Sequence, residues 1–364
     1  MKQNHVVEPT NAVELYKEFH RKLNERVHRF FQENQLSPKG NFQLYAKAFV
    51  LMTSYLLPFF ILLIFNVSTF WFYALWFIMG LGMAGVGMGV MHDGNHGSFS
   101  KYETVNKLAG YSMFLLAGNV ITWKIQHNML HHTYTNVHGK DEDVDTGGLI
   151  RLHPEQDWKP IHRLQPIYAP FLYGLLTLNW LLIKDFVQLH RYHREGLLRR
   201  ANTTYTKELV ILIVSKLINY FIFIVLPFLI IDRAWYHILL GMLLMHFTAG
   251  TTLSFIFQMA HVMPDVQQIP DLSKKNKVWS VHQLQTTANF SRNNPLITWY
   301  LGGLNYQIEH HLFPHISHVH YPKIANIVKQ TAEEFNIKYQ EYARFSQALI
   351  EHFRYLIILS KKPA

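Results

Sequence analysis

The sequence predicts an all-α integral membrane protein: four transmembrane helices, interfacial helices beside them and a helical cap on the cytoplasmic side. Three observations carry this prediction. Four apolar stretches each approach the ~20 residues that a bilayer core requires. The charged residues lie mostly between those stretches and not within them. Finally, the 364-residue chain has no cysteine but 23 histidines, several of them clustered beside the ends of the apolar stretches.

The spans are predicted at Ala48–Phe65, Phe70–Met91, Leu209–Ile231 and Ala234–Ala260. The turn within each pair is short: Asn66 to Thr69 carries no charge, and Asp232-Arg233 makes up most of the other. The long polar regions before, between and after the pairs hold the Lys and Arg, so the positive-inside rule places both termini and the middle region in the cytoplasm. Lys+Arg outnumber Asp+Glu by 34 to 24, an excess that suits anionic lipid. With no concentrated basic stripe or binding motif, it argues against nucleic acid as a partner.

Two further apolar stretches, Ala109–Ile121 and Ile167–Ile183, are read as interfacial or re-entrant. The first is short. The second holds Pro170 and Asn179 and runs into Lys184 and Asp185. Either one crossing alone would put neighbouring histidine clusters on opposite faces. The first forty residues alternate charged and apolar positions, as an amphipathic helix does, without a signal peptide's apolar core. The expected organisation is a single domain over 1–364. It has an N-terminal cytoplasmic amphipathic segment (1–47), a membrane region with an intervening cytoplasmic part (48–260) and a C-terminal cytoplasmic cap (261–364).

Without cysteine there are no disulfides, thiolate metal sites or cysteine nucleophiles. Any metal site must use imidazole, carboxylate or amide ligands. Cluster one is His92-Asp93-Gly94-Asn95-His96, where positions i and i+4 share a helix face and can reach one metal. Cluster two, His127-Asn128-Met129-Leu130-His131-His132, repeats that spacing and adds an adjacent ring. Cluster three is Gln307-Ile308-Glu309-His310-His311. One HxxxH is weak evidence; three such clusters, each beside a membrane boundary, are far stronger. Seven imidazoles exceed the tetrahedral shell of one zinc and point to two metals, although imidazole alone does not choose among zinc, copper, iron and nickel. His153, His162, His190, His193 and His352 are read as ordinary interfacial or core histidines, and His315, His318 and His320 as surface ones, with partners of the metal-bound groups as their alternative reading. Asp141, Glu142, Asp143 and Asp145 divide evenly between carboxylates that orient metal-bound imidazoles and a solvated acidic loop. His246, within the fourth span, is either functional or a neutral imidazole bonded to a neighbouring helix. Gly80, Gly82, Gly85, Gly87 and Gly89 are expected to allow close helix packing.

The motifs HDGNH, HNMLHH and QIEHH, in this order around four spans, resemble the three histidine boxes of membrane fatty acid desaturases. The run Asn305-Tyr306-Gln307-Ile308-Glu309-His310-His311-Leu312-Phe313-Pro314 looks like the front-end (linoleoyl-CoA, Δ6-type) branch, in which Gln307 replaces the first histidine of box three. The resemblance runs from about Ala48 to about Gln330. It implies oxygen-dependent desaturation of a fatty acyl chain, as acyl-CoA or acyl-lipid, at a di-iron centre. It implies metal binding by His92, His96, His127, His131, His132, His310 and His311, by His261 between the fourth span and box three, and by Gln307. Acyl-CoA members place Asn four residues before that histidine; here the position is Phe257, which leaves Gln258 or Gln307 to supply the contact. Asn289 matches a family segment whose role the sequence does not reveal. No haem-binding HPGG motif of a fused cytochrome b5 domain is present, so an external donor, a ferredoxin or a cytochrome b5-like protein, is expected. These features favour a bacterial inner membrane; Lys361-Lys362 has the form of an endoplasmic-reticulum retrieval signal and makes that compartment the alternative.

The chemistry fits the parts. Removing hydrogen from unactivated methylenes is beyond acid and base side chains and needs a metal–oxygen oxidant. A site at the membrane boundary lets the acyl tail run into apolar surroundings while its head stays outside. Lys124, Arg191 and Arg194 stand where a head group could sit, although ordinary membrane-surface charge explains them as well. A hydroxylase, acetylenase or epoxygenase on the same iron site is the related alternative. A zinc hydrolase needs HExxH, and Asp93 stands in the second position. From another class, a His-rich membrane metal transporter or receptor should carry its ligands near mid-membrane, and these lie at the ends of spans.

Overall fold

The computed structural model describes residues 10–363; residues 1–9 and 364, and with them the orientation expected of the two termini, lie outside it. Among the described residues, four helices are long and apolar enough to cross a membrane: Phe42–Ile64, Thr69–Asn95, Tyr205–Ile230 and Trp235–His261. They match the predicted spans. The second span runs a full turn further than expected, because cluster one continues its helix instead of following it.

The four spans are not equivalent. In the second, 78% of the most apolar window is buried, against 22% in the third. Glycine explains the difference. A Cβ on Gly80 would sit 2.6 Å from the Met245 carbonyl of the fourth span, and one on Gly82 would sit 2.6 Å from the Tyr55 nitrogen of the first. The glycine stripe therefore serves packing, allowing neighbouring backbones to close on the second span from two sides. At the far end from the histidines, Arg233 donates to the Val67 carbonyl and to Thr69 Oγ1, tying the two short turns together.

Neither ambiguous stretch forms a span. The first breaks into a helix over Glu103–Tyr111, a tight turn over Ser112–Leu116 and a new helix from Val120. Ala117 takes a left-handed φ of 60°, and Asn119 caps the restart by accepting from the Ile121 and Thr122 nitrogens. The loose carbonyls of the break are met by the third span. Asn219 donates to Phe114 and Leu115 at 3.0 and 3.2 Å, and the Lys216 ammonium donates to Ala117 at 2.5 Å and pairs with Asp185 at 3.0 Å. Such partners let irregular backbone persist at membrane depth. The second stretch divides into helices Gln165–Gly174 and Leu176–Leu182, which pack along the fourth span.

The cap is built from helices Trp279–Thr286, Gln307–Leu312, Tyr321–Glu334 and Phe345–Ser360, with one short parallel pairing of Asn289–Phe290 to Glu341–Tyr342. The amphipathic N-terminal helix Thr10–Glu33 joins it. Phe19, Leu23, Val27 and Phe31, one turn apart, are buried against Ile324, Val328 and Phe335. Arg26 holds Glu334 with two bonds of 2.7 and 2.9 Å.

Candidate metal centre

The histidine clusters converge where the ends of the second and fourth spans meet the cap. Cluster one ends a helix whose preceding turn, Gly87–Met91, is π-helical. Cluster two lies on a longer π-helical segment, Lys124–His131. Widened turns of this kind recur at functional sites, and here they alter the expected geometry. His127 and His132, five residues apart, bring their Nε2 atoms within 3.3 Å of each other. The i, i+4 partner His131 stacks on His127 at 5.3 Å between ring centres, and the two offer ligand atoms to a common group with Asp143. Cluster three is short. Its helix start is set by Asn289, which accepts from the Ile308 nitrogen at 2.8 Å and donates to Glu309 at 2.8 Å. Tyr339 donates to the same carboxylate at 2.9 Å. This is the role of Asn289 that the sequence left open. Burial raises the Glu309 carboxyl to about 7.

The side chains sort into overlapping groups whose ligand atoms lie within 4.8 Å of one another: His92, His96, His127 and His310; His131, His261 and His311; His132 with His310 and His311; and His127 and His131 with Asp143. The consecutive residues His310 and His311 each join a different group and share a third with His132. All eight expected histidines are brought together. Gln307 is buried beside His261, and its Nε2 has no partner. Phe257 packs into the apolar core, and Gln258 donates to the Asp143 carbonyl at 3.3 Å, leaving its Oε1 unpartnered.

The ring nitrogens fit metal ligation by an internal test. Buried polar atoms are normally hydrogen-bonded, yet His96 Nε2, His310 Nε2 and His311 Nε2 have no partner, and neither do His92 Nδ1 and His132 Nδ1. His92 Nε2 and His127 Nε2 face each other at 3.2 Å. Burial and mutual repulsion hold His96, His127, His132, His310 and His311 well below the usual histidine range, so these rings are neutral, the form that binds a metal. Three rings are oriented through Nδ1, which leaves Nε2 for a ligand. His261 donates to the Thr286 carbonyl at 3.1 Å. His131 faces Asp141 at 3.0 Å. His311 donates to Gln283 Oε1 at 2.8 Å. Burial pulls His131 down, but Asp141 and Asp143 overcome it and lift the ring to about 9.

Several residues around the site carried no sequence signal. Gln283 accepts from His311, receives the Thr135 hydroxyl at 2.9 Å and donates to the His132 carbonyl at 3.2 Å. It thereby joins clusters two and three. Trp123 stacks on His127 at 4.5 Å. His282 is fully buried with neither ring nitrogen hydrogen-bonded; burial, and secondarily Lys275, lowers it to about 3.

Other readings are settled by position. Asp141 is fully buried on the site, while Glu142 turns away to Arg191 at 2.5 Å and Tyr192 at 2.8 Å. His315 is exposed as expected, but the surface reading of His318 and His320 is wrong. His318 is buried between Asp93 at 2.7 Å and Lys47 at 2.8 Å, and His320 packs on Phe31. The segment after cluster three folds back against the first and second spans, which spacing alone does not reveal. His246 donates to Thr177 Oγ1 across 3.1 Å or accepts from it, the bonded-imidazole reading. His153, His162 and His352 are core residues; His190 and His193 are exposed.

Comparison with known proteins agrees with this architecture. The pattern described as fatty acid desaturase matches residues 68–343. The chain is 32% identical over 349 residues to the sn-1 linoleoyl-lipid 6-desaturase of Arthrospira platensis, covering 95% of this chain and 93% of that one. It is 31% identical over 352 residues to the protein of the same name from Synechocystis sp., covering 94% and 96%. It is 33% identical over 347 residues to the acyl-lipid (8-3)-desaturase of Physcomitrium patens, covering 93% of this chain and 71% of that one. A match over most of the chain, joined to four spans and a converged histidine site, places this protein in the fatty acid desaturase family.

Proposed function

We propose that this protein is a front-end desaturase that acts on a linoleoyl-type chain carried by a membrane lipid, at two irons held by His92, His96, His127, His131, His132, His261, His310 and His311. The observation that carries the reading is the convergence of these eight imidazoles, with buried, unpartnered nitrogens turned toward one another. The relatives named above act on acyl lipids by name, which favours that carrier over acyl-CoA. Gln307 stands beside His261 and is assigned as an amide ligand or as a partner of a ligated water.

Bound irons would supply, with dioxygen and two electrons from an outside donor, the oxidising power to take two hydrogens from adjacent methylenes, leaving a double bond and water. The chain's own residues do the rest. Asp141, Gln283 and the Thr286 carbonyl fix the tautomer and tilt of His131, His311 and His261. The glycine-packed second span and the clasped break at 112–119 exclude water from below. The depth at which an acyl chain stops against this floor sets which methylene is presented. A ferredoxin or a cytochrome b5-like protein delivers the electrons at the cap. Charge asymmetry favours a cytoplasmic cap in a bacterial inner membrane.

The test is to supply linoleoyl lipid to membranes containing the chain and to map the new double bond by mass spectrometry. A bond between the existing ones and the carboxyl end supports the reading. A bond toward the methyl end, or a hydroxylated product, overturns it.

A further inference from the structure

We infer that the two metal positions are inequivalent, and that the one formed by His131, His261 and His311 binds a divalent cation more tightly than the one formed by His92, His96, His127 and His310. This rests on the two-metal reading above and adds to it an order of occupancy and the residues that set it.

Each position has a buried carboxylate behind one of its histidines, and the two carboxylates are compensated differently. Behind His131 stands Asp141, fully buried. Its oxygens face His131 Nδ1 at 3.0 and 3.1 Å. Its other partners are backbone N–H groups, Asn136 at 2.8 Å and Asp143 at 3.0 Å. Those are neutral dipoles, which hold the carboxylate in place without cancelling its charge. Asp143 adds a second carboxylate 3.3 Å from the same ring nitrogen. Its Oδ1 is held by the neutral Gln126 amide, and Lys184 acts on it only through space.

Behind His92 stands Asp93, at 3.7 Å from Nδ1, beyond hydrogen-bond reach. This carboxylate has a hydrogen-bonded chain of its own, which ends on the Lys47 side chain. His318 Nδ1 donates to it at 2.7 Å, and Lys47 donates to the far side of the same ring, at Nε2, over 2.8 Å. Lys47 reaches this place from the first span by crossing Gly89 of the second, where a Cβ would lie 3.2 Å from its side chain. All three groups are buried. Asp93 therefore spends its charge on His318 and Lys47, whereas Asp141 leaves its charge facing a metal ligand. In a buried site the closer and less compensated carboxylate raises ligand basicity and attracts a divalent ion more strongly.

The prediction has opposite signs at the two positions, which a merely structural role would not produce. The purified full-length protein in detergent is stripped with a chelator and titrated with Co(II), followed by its visible d–d absorption and by calorimetry. Two steps are expected, one ion each, separated by about tenfold or more in affinity. D141N keeps the hydrogen bond to His131 but removes the charge, and should weaken the tighter step by about 10- to 100-fold. K47M frees the charge of Asp93 and should strengthen the weaker step, bringing the two together; K47R should restore the separation. Helical content by circular dichroism confirms that each variant remains folded, and the opposite directions of D141N and K47M keep the test decisive if one of them does not. Two ions bound in one step that neither variant alters would overturn this inference and leave the two-metal reading standing. Fewer than two ions per chain would overturn both.

Discussion

The lower half of this molecule and its histidine layer are held together by different physics. In the lower half the third span turns most of its side chains outward, with Leu217 61% and Leu229 72% exposed to what would be lipid. Apolar length and close glycine contacts suffice there, and many sequences would satisfy them. In the histidine layer the polar side chains are mostly buried, and their nitrogens are either tied to a named partner or turned into the site. Exchanging a single atom there leaves another group stranded at a cost of ~1–3 kcal/mol. The lower half should therefore tolerate substitution, and the upper layer should not.

The comparison breaks most visibly at the ligands. H131A removes a ring nitrogen from the site and leaves Asp141 with only backbone N–H partners, so desaturation should be abolished while membrane insertion, which depends on the apolar spans, stays near normal. Product analysis and membrane fractionation of the same cells check both halves. A variant with near-normal turnover and a full metal complement would show that His131 is no ligand.

Gln283 makes the next largest effect. Q283L cuts the bridge among His311, Thr135 and the His132 carbonyl without removing a proposed ligand. Loss of a partner that orients a metal-bound ring typically costs 10- to 100-fold in affinity or activity, so metal retention after dialysis against chelator should fall by about that factor. Unaltered retention would assign Gln283 to packing alone.

Lys216 sharpens the comparison, because it carries upper-layer chemistry down into a span. K216M strands Asp185 and the Ala117 carbonyl at membrane depth, and removing one partner of a buried pair costs ~3–5 kcal/mol. Thermal unfolding in detergent should show a drop of several degrees or more, which the double variant K216M/D185N partly reverses. By contrast L217A, on the lipid-facing side of the same helix, should stay within ~0.5 kcal/mol of the parent.

The smallest effect is one of pH. His352 sits fully buried outside the spans, between Tyr173 and the Val262 carbonyl, and burial lowers it to about 4. An unfolded histidine titrates near 6.5, so between these values the unfolded chain binds the proton and the folded chain does not. Stability from this group is complete above about pH 6.5 and is lost as pH falls toward 4, at up to ~1.4 kcal/mol per pH unit. Melting curves of the parent and of H352Q over that range should converge at low pH.

What the sequence revealed follows the same division. The spans were legible because membrane length and hydropathy act locally, and the boxes because their spacing is local too. The π-helical register of cluster two was not legible: the widened turn brings His127 Nε2 within 3.3 Å of His132 as well as stacking the ring on His131, which the spacing does not show. Gln283, His318 and Lys47 were missed for another reason. Each matters through a residue 28 to 271 positions away, and a lone Gln, His or Lys carries no mark of such a partner. Asn289 was noticed, but its bonds to Glu309 and Tyr339 became visible only once the chain had folded.

The proposed activity requires the histidine layer to be a two-metal oxidising site open to a membrane acyl chain. The most direct test measures iron per chain in protein purified from iron-supplied cells. The same preparation is then given linoleoyl lipid, oxygen and a reduced ferredoxin. Two irons per chain and an oxygen-dependent new double bond on the carboxyl side of the existing ones are the predicted result. Two bound metals that never support formation of a double bond, or desaturation that persists after the metals are removed, would contradict it.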